Sequence, residues 1–228
     1  MNHSLLASET ESSNLNYLEA VMRVAIIGAG NVGSGLAGAA VAAGHQVTVA
    51  AAHEENAVKV AEQVGGTSAA SAADASQGAD VVVLAVPAGV AADVLGEIKG
   101  TGAVVVDATN PLNETYSDLT TSGTSHAEQL AAVVPGVRLV KAFNTVFASR
   151  LGDASEAGQP LDGYYAGDDD AAKQVVAELL TSLGFRPIDA GGLRMARSLE
   201  ELAFLNISLN ARNGWTWQSG WRLTGPTV

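Results

Sequence analysis

The sequence predicts an α/β protein on a doubly wound, mostly parallel sheet, with a small helical part at its C-terminal end. Three observations predict it. From residue 22 onward, short Val-, Ile- and Leu-rich runs alternate with helix-length stretches. Such continuous apolar runs suit parallel strands buried on both faces. A glycine-rich turn, GAGNVG, lies directly between the first run and the first helical stretch. Near the end, Leu199, Leu202, Leu205 and Leu209 form a stripe at helical spacing. The stripe leads into NARNGWTWQSGWRL, which holds all three tryptophans.

The elements follow in order. Residues 1–21 read as an N-terminal extension, polar and without the basic-then-apolar pattern of a secretory signal. Arg23–Ile27 is the first strand, Val32–Ala43 a helix of small residues, and Gln46–Ala50 a second strand entered through Gly44-His45. Glu54–Val64 reads as a helix, with acids in the first turn where the macrodipole favours them. Asp80–Val86 and Ala103–Asp107 are strands, with Val90–Ile98 as the crossover helix between them. Ser125–Glu128 has the capping-box form S-x-x-E ahead of an apolar run that ends at Pro135. Arg138–Ala142 and Leu161–Ala166 are strands, Asp169–Leu183 a helix and Arg186–Ala190 a last strand. This succession of βα units predicts a parallel sheet but leaves the order of the last strands open. Residues 22–228 read as one domain, with a helical, dimer-forming part over about 193–228.

Composition narrows the function. A net charge of −12 argues against nucleic acid, whose phosphates require clustered Lys and Arg. The absence of cysteine removes disulfides, thiolate metal sites and a cysteine nucleophile. No apolar run approaches the roughly 18–20 residues of a membrane helix. The expectation is a cytoplasmic protein with no membrane or nucleic-acid partner. The four histidines lack zinc-site spacing, and no G-x-S-x-G nucleophile elbow is present. Asp168, Asp169 and Asp170 precede a helix, so capping explains them better than a metal does.

The glycines carry the chemistry. Gly28, Gly30 and Gly33 form G-x-G-x-x-G after a strand and before a helix, the context that confirms a dinucleotide-binding turn. The first glycine permits the tight turn, the second lets backbone approach a pyrophosphate, and the third lets helix and strand pack closely. Gly28, Ala29, Gly30, Asn31, Val32 and Gly33 are therefore cofactor-binding candidates in a Rossmann-type domain. The end of the second strand, which commonly carries an acid for NAD, reads Ala50, Ala51, Ala52, His53. Of these, His53 alone could offer a 2′-phosphate positive charge. Glu54 and Glu55 either reach a ribose or serve as first-turn acids. Asp107 and Asn110-Pro111 fall at a strand's carboxyl end, where ligands bind in open sheets, or simply form a turn. Lys141 either draws a nucleotide or acidic acceptor or projects from the sheet. Arg194 and Arg197 either face an acceptor or form helix-start salt bridges. Trp215, Trp217 and Trp221 read as dimer packing, with acceptor contact as the sharper alternative.

Several segments together resemble a known family. The glycine loop, ADVVVLAVP (79–87), DATNP (107–111), VKAFNT (140–145) and the stretch from YYAGDDD to SLEELA (164–203) are similar to the NADP oxidoreductases that act on coenzyme F-420. That superfamily includes the reductase domain of the STEAP metalloreductases. The resemblance spans nearly all of 22–212. It implies hydride exchange between NADPH and a deazaflavin or flavin (F-420, FMN or FAD), in a cytoplasmic homodimer. It further implies that Ala85, Val86 and Pro87 line the ribose–nicotinamide path, with Asn144, Thr145 and Ala148 near the nicotinamide, while Asn110 is a cofactor candidate from its strand-end position. Leu193, in the GGL turn, would face the acceptor ring; from their positions in the sequence Thr145, Ala148 and Arg197 are further candidate acceptor contacts. Family members that use NADP carry Ser-Arg or Arg-Arg where this chain has Ala51, Ala52 and His53, so NAD stays possible. Alternatives are an NADPH-dependent reductase of a small imine or carbonyl, with Tyr164, Tyr165 or a bound water as proton donor, and a non-catalytic dinucleotide sensor or partner subunit.

Overall fold

The computed structural model describes residues 21–225, so the expected extension lies, except for Val21, outside the described residues. β1 (Arg23–Ile27) leads through the glycine turn into α1 (Asn31–Ala42), and β2 (Gln46–Ala50) into α2 (Glu54–Val64). A two-residue β3 (Thr67–Ser68) and a one-turn α3 (Ala72–Ala75) precede β4 (Val81–Leu84), α4 (Ala88–Ile98) and β5 (Val104–Asp107). Both short elements are too brief to leave a periodic signal in the sequence. α5 (His126–Val133) crosses to β6 (Leu139–Ala142). A hairpin of β7 (Ser155–Glu156) and β8 (Gln159–Pro160) then leads to β9 (Asp162–Gly167). α6 (Asp170–Ser182), β10 (Arg186–Asp189) and the 18-residue α7 (Ala196–Asn213) follow.

The main sheet has eight strands in the order β10-β9-β6-β5-β4-β1-β2-β3. From β3 to β6 every pair is parallel. β9 joins β6 antiparallel, with Lys141 opposite Ala166, and β10 follows it in parallel at the edge. The chain leaves β6 without a crossover helix, so it returns beside that strand in the opposite direction.

Side chains of the central strands alternate strictly between two cores, as the pleat requires. Val24, Ile26, Val81, Val83, Val104 and Val106 pack on the face carrying α1, α2 and α6. Ala25, Ile27, Val82, Leu84 and Val105 pack on the other, against α4 and α5. The expected capping box forms at α5. Ser125 Oγ accepts from the Glu128 amide at 3.1 Å, while Glu128 Oε2 accepts from the Ser125 amide at 2.8 Å. Asp169 caps α6 by accepting from the Ala172 amide at 2.9 Å. Among the described residues no helix is long and apolar enough to cross a membrane.

Candidate functional site

The glycine turn is held by contacts that allow no side chain. Gly28 has φ +121°, and a Cβ there would stand 2.2 Å from the Ala85 carbonyl oxygen. A Cβ at Gly33 would stand 1.8 Å from the Gly28 carbonyl oxygen, so α1 packs backbone-to-backbone on the turn. Gly30 differs: a Cβ there meets nothing within 4 Å. No neighbour among the described residues therefore demands glycine at position 30, whereas a pyrophosphate lying on the backbone would. Gly28 and Gly33 shape the turn, and Gly30 is the bare surface they present.

A cavity lies on each side of this turn. The first, about 700 Å³, is floored by Gly28, Ala29 and Gly30. Its walls come from the β2 end (Ala51, Ala52, His53) and the β4 end (Ala85, Val86, Pro87), with Asn56, Asp93 and Glu97 further out. The structure thus groups Ala85–Pro87 with the strand-end residues rather than with Asn144. The physical reason is sheet order: β4 and β2 flank β1, so their carboxyl ends open on the same hollow. The second cavity, about 500 Å³, is lined by Asn31, Val32, Asn110, Asn144, Thr145 and Ala148, all six expected from the sequence. Leu112, Tyr116, Val146, Phe147, Ala203, Asn206, Ile207 and Trp217, not expected as cavity residues apart from Trp217, complete it. Trp217 stands edge-on to Phe147, ring centres 5.5 Å apart. The tryptophan-rich end of the sequence was the available signal for this wall.

Asn144 is the most constrained polar group here. Its side-chain amide donates to Asn110 Oδ1 at 3.0 Å and to the Leu199 carbonyl at 3.0 Å, while Asn110 donates to the Asn144 carbonyl at 2.9 Å. Both amide hydrogens are thereby engaged. Among the described residues its buried Oδ1 has no partner, nor does Thr145 Oγ1 beside it. A buried acceptor left over in this way suits a carboxamide N–H such as that of nicotinamide. The residues around the turn and both cavities therefore fit a nicotinamide dinucleotide.

Beneath this wall sits a buried charge cluster. Lys141 and Asp107 are register partners across β5 and β6, so their side chains share a face. Lys141 Nζ lies 2.9 Å from Asp107 Oδ2, 3.0 Å from Glu200 Oε1 and 2.7 Å from the Thr109 carbonyl. Lys141 and Asp107 are fully buried and Glu200 almost so. Glu200 also accepts from the His126 amide at 3.0 Å, tying α7 to the start of α5. Asp107 Oδ1 accepts from the Thr109 amide at 2.9 Å, shaping the loop that carries Asn110. Lys141 is therefore neither a nucleotide-facing cation nor an exposed projection from the sheet. Both of its anionic partners come from elsewhere in the fold.

Two expected acceptor residues lie elsewhere. Leu193 is 6% exposed and packed in the core against α4 and α5. Arg197 grips Glu128 with a two-pronged pair at 2.7 and 2.8 Å, the salt-bridge alternative. Asp168, for its part, accepts from the Leu193 amide at 2.7 Å. Those Arg197 hydrogen bonds, helped by Ser125, hold the Glu128 carboxyl down to about 2 from an ordinary 4.5. A depressed folded value stabilises the fold above the unfolded value, and that stability is lost as pH falls through the folded one. Replacing Glu128 with Gln is expected to flatten the fall in melting temperature between about pH 4.5 and 2. An acid limb as steep as that of the wild type would refute this assignment.

Tyr164 and Tyr165, the expected proton donors of a carbonyl reductase, line neither cavity. Burial, with a hydrogen bond to Asp162, pushes Tyr164 up to about 12.

Residues 23–111 match the family described as NADP oxidoreductase, coenzyme F420-dependent. The chain is 36% identical over 214 residues to the F420-dependent NADP reductase of Methanothermobacter thermautotrophicus, covering 85% of this chain and 91% of that one. The chain belongs to this family. It is accordingly an NAD(P)-dependent oxidoreductase with a Rossmann-type fold. A crystal structure of a putative F420-dependent NADP reductase from Arthrobacter superposes with a TM-score of 0.77 at 30% identity, over 89% of this chain and all of that one. The metalloreductase STEAP3 of Rattus norvegicus is 37% identical over 105 residues, 44% of this chain and 20% of that longer one.

Proposed function

We propose that the protein exchanges hydride between NADPH and a deazaflavin- or flavin-like ring. The observation that carries the reading is the pair of cavities on either side of a glycine turn whose Gly30 presents bare backbone. The first cavity takes the adenosine half and the second the nicotinamide, with the acceptor ring against its apolar wall. When bound, the nicotinamide ring supplies the hydride chemistry, and the protein's work is binding, orientation and exclusion of water.

Each residue has a part in that work. Asn144, its orientation set by Asn110 and Leu199, offers Oδ1 to the carboxamide. Val32, Val146, Ile207 and Trp217 form an apolar wall that excludes water and stacks on a flat acceptor. No proton donor need stand at the acceptor, because solvent completes the reduced ring.

The test is to mix the protein with NADPH and follow nicotinamide absorbance on adding F-420, FMN, FAD or riboflavin. Oxidation of NADPH with one of these rings supports the reading, and binding without oxidation by any of them favours a sensor. Replacing Trp217 with Ala should raise the acceptor KM roughly two- to tenfold, the size of a stacking contact of about 0.5–1.5 kcal/mol, with dinucleotide binding unchanged. Tyr116, 67% exposed, is the one phenol on the second cavity among the described residues. Tyr116→Phe should leave hydride exchange intact, whereas an imine or carbonyl reductase using that hydroxyl as proton donor would lose turnover.

A further inference from the structure

We infer that the protein takes NAD(H) at least as readily as NADP(H), because no Lys or Arg lines its adenosine cavity to hold a 2′-phosphate. This rests on the dinucleotide reading above and concerns the far end of the same ligand. In an open parallel sheet of this kind, the end of the second strand meets the adenosine ribose, and a nearby Arg accommodates a 2′-phosphate when one is bound. Here that strand end presents the methyl groups of Ala51 and Ala52, then an exposed His53.

The whole charge inventory supports the point. All twelve Lys and Arg of the chain lie among the described residues, and none lines this cavity. Lys59, on α2, sits in a separate shallow groove with Glu54, Glu55 and Glu62. Across the cavity from His53, α4 contributes Asp93 and Glu97. The N-terminus of α2 would favour an anion, but Glu54 and Glu55 already occupy its first turn. A 2′-phosphate in this cavity would therefore face two carboxylates, Asp93 and Glu97, with one imidazole to offset them. A ribose hydroxyl meets no such repulsion, and the neutral amide of Asn56 can both donate to it and accept from it.

Equilibrium titration of the full chain with NADH and NADPH, read by nicotinamide fluorescence, tests this without any acceptor. The expected result is a Kd for NADH no larger than that for NADPH. Added salt should narrow the gap, because it screens repulsion, whereas a phosphate held by a cation would lose affinity as salt rises. Ala52→Arg, at an exposed position, should raise the affinity for NADPH relative to NADH about tenfold, the effect of one charge-assisted contact of roughly 1.4 kcal/mol. Asp93→Asn combined with Glu97→Gln should move the ratio the same way. Tighter binding of NADPH than NADH by the wild type overturns the inference. Binding of neither dinucleotide overturns instead the function on which it rests.

Discussion

Replacing Lys141 with Met is expected to cost about 3–5 kcal/mol of folding stability, the penalty for removing one partner from a buried ion pair. Lys141 is fully enclosed, and its ammonium is shared by Asp107, Glu200 and the Thr109 carbonyl. Methionine keeps most of the volume but leaves two enclosed carboxylates without their common cation. Urea denaturation measures the loss as a fall in the midpoint at unchanged slope. Adding Asp107→Asn and Glu200→Gln to the same variant should restore part of it, since the stranded charges are then gone. A loss below about 1 kcal/mol, the scale of an exposed pair, would show that the cluster contributes little. Because Asp107 shapes the Asn110 loop and Glu200 ties α7 to α5, the destabilised protein should also bind dinucleotide more weakly.

The second large effect separates two glycines of one turn. Gly33→Ala should fail to accumulate as folded protein or melt far below the wild type, because its Cβ would stand 1.8 Å from a backbone oxygen. Gly30→Ala should melt close to the wild type, since its Cβ meets nothing within 4 Å. Dinucleotide binding should nevertheless fall by a hundredfold or more, about 2.7 kcal/mol, because the methyl group would occupy the path of the pyrophosphate. Circular dichroism melting and nicotinamide fluorescence titration of the two variants give the comparison. Unimpaired binding by Gly30→Ala would place the pyrophosphate elsewhere.

Much of the fold was legible because its signals are local. Gln46–Ala50 and Glu54–Val64 carry their boundaries in turn glycines, strand-forming residues and first-turn acids, and both match the structure end to end. The α5 capping box lies within four consecutive residues. β3, α3 and the β7–β8 hairpin were invisible because two to four residues hold no period. The antiparallel entry of β9 was also hidden, since a strand's direction depends on where the chain returns rather than on its own residues.

The candidate site divides along the same line. Gly28, Gly30 and Gly33 point to a dinucleotide turn because their spacing falls directly between a strand and a helix. The alanines after β2 likewise show, without any coordinates, that no arginine follows that strand. Sequence could not show that Lys141 is enclosed, because its partners Asp107 and Glu200 lie 34 and 59 positions away. Nor could it show that Leu193 and Arg197 turn away from the cavities, or that Trp217 turns toward one. Asp162 accepts from the Leu223 amide at 2.6 Å, and Asn210 donates to Ser219 Oγ at 2.7 Å. These contacts fold the tail back over the sheet and bring Trp217 against Phe147. Short-range spacing carries the chemistry of the turn, whereas charge pairing and tail docking arise from contacts between distant segments that exist once the chain has closed on itself.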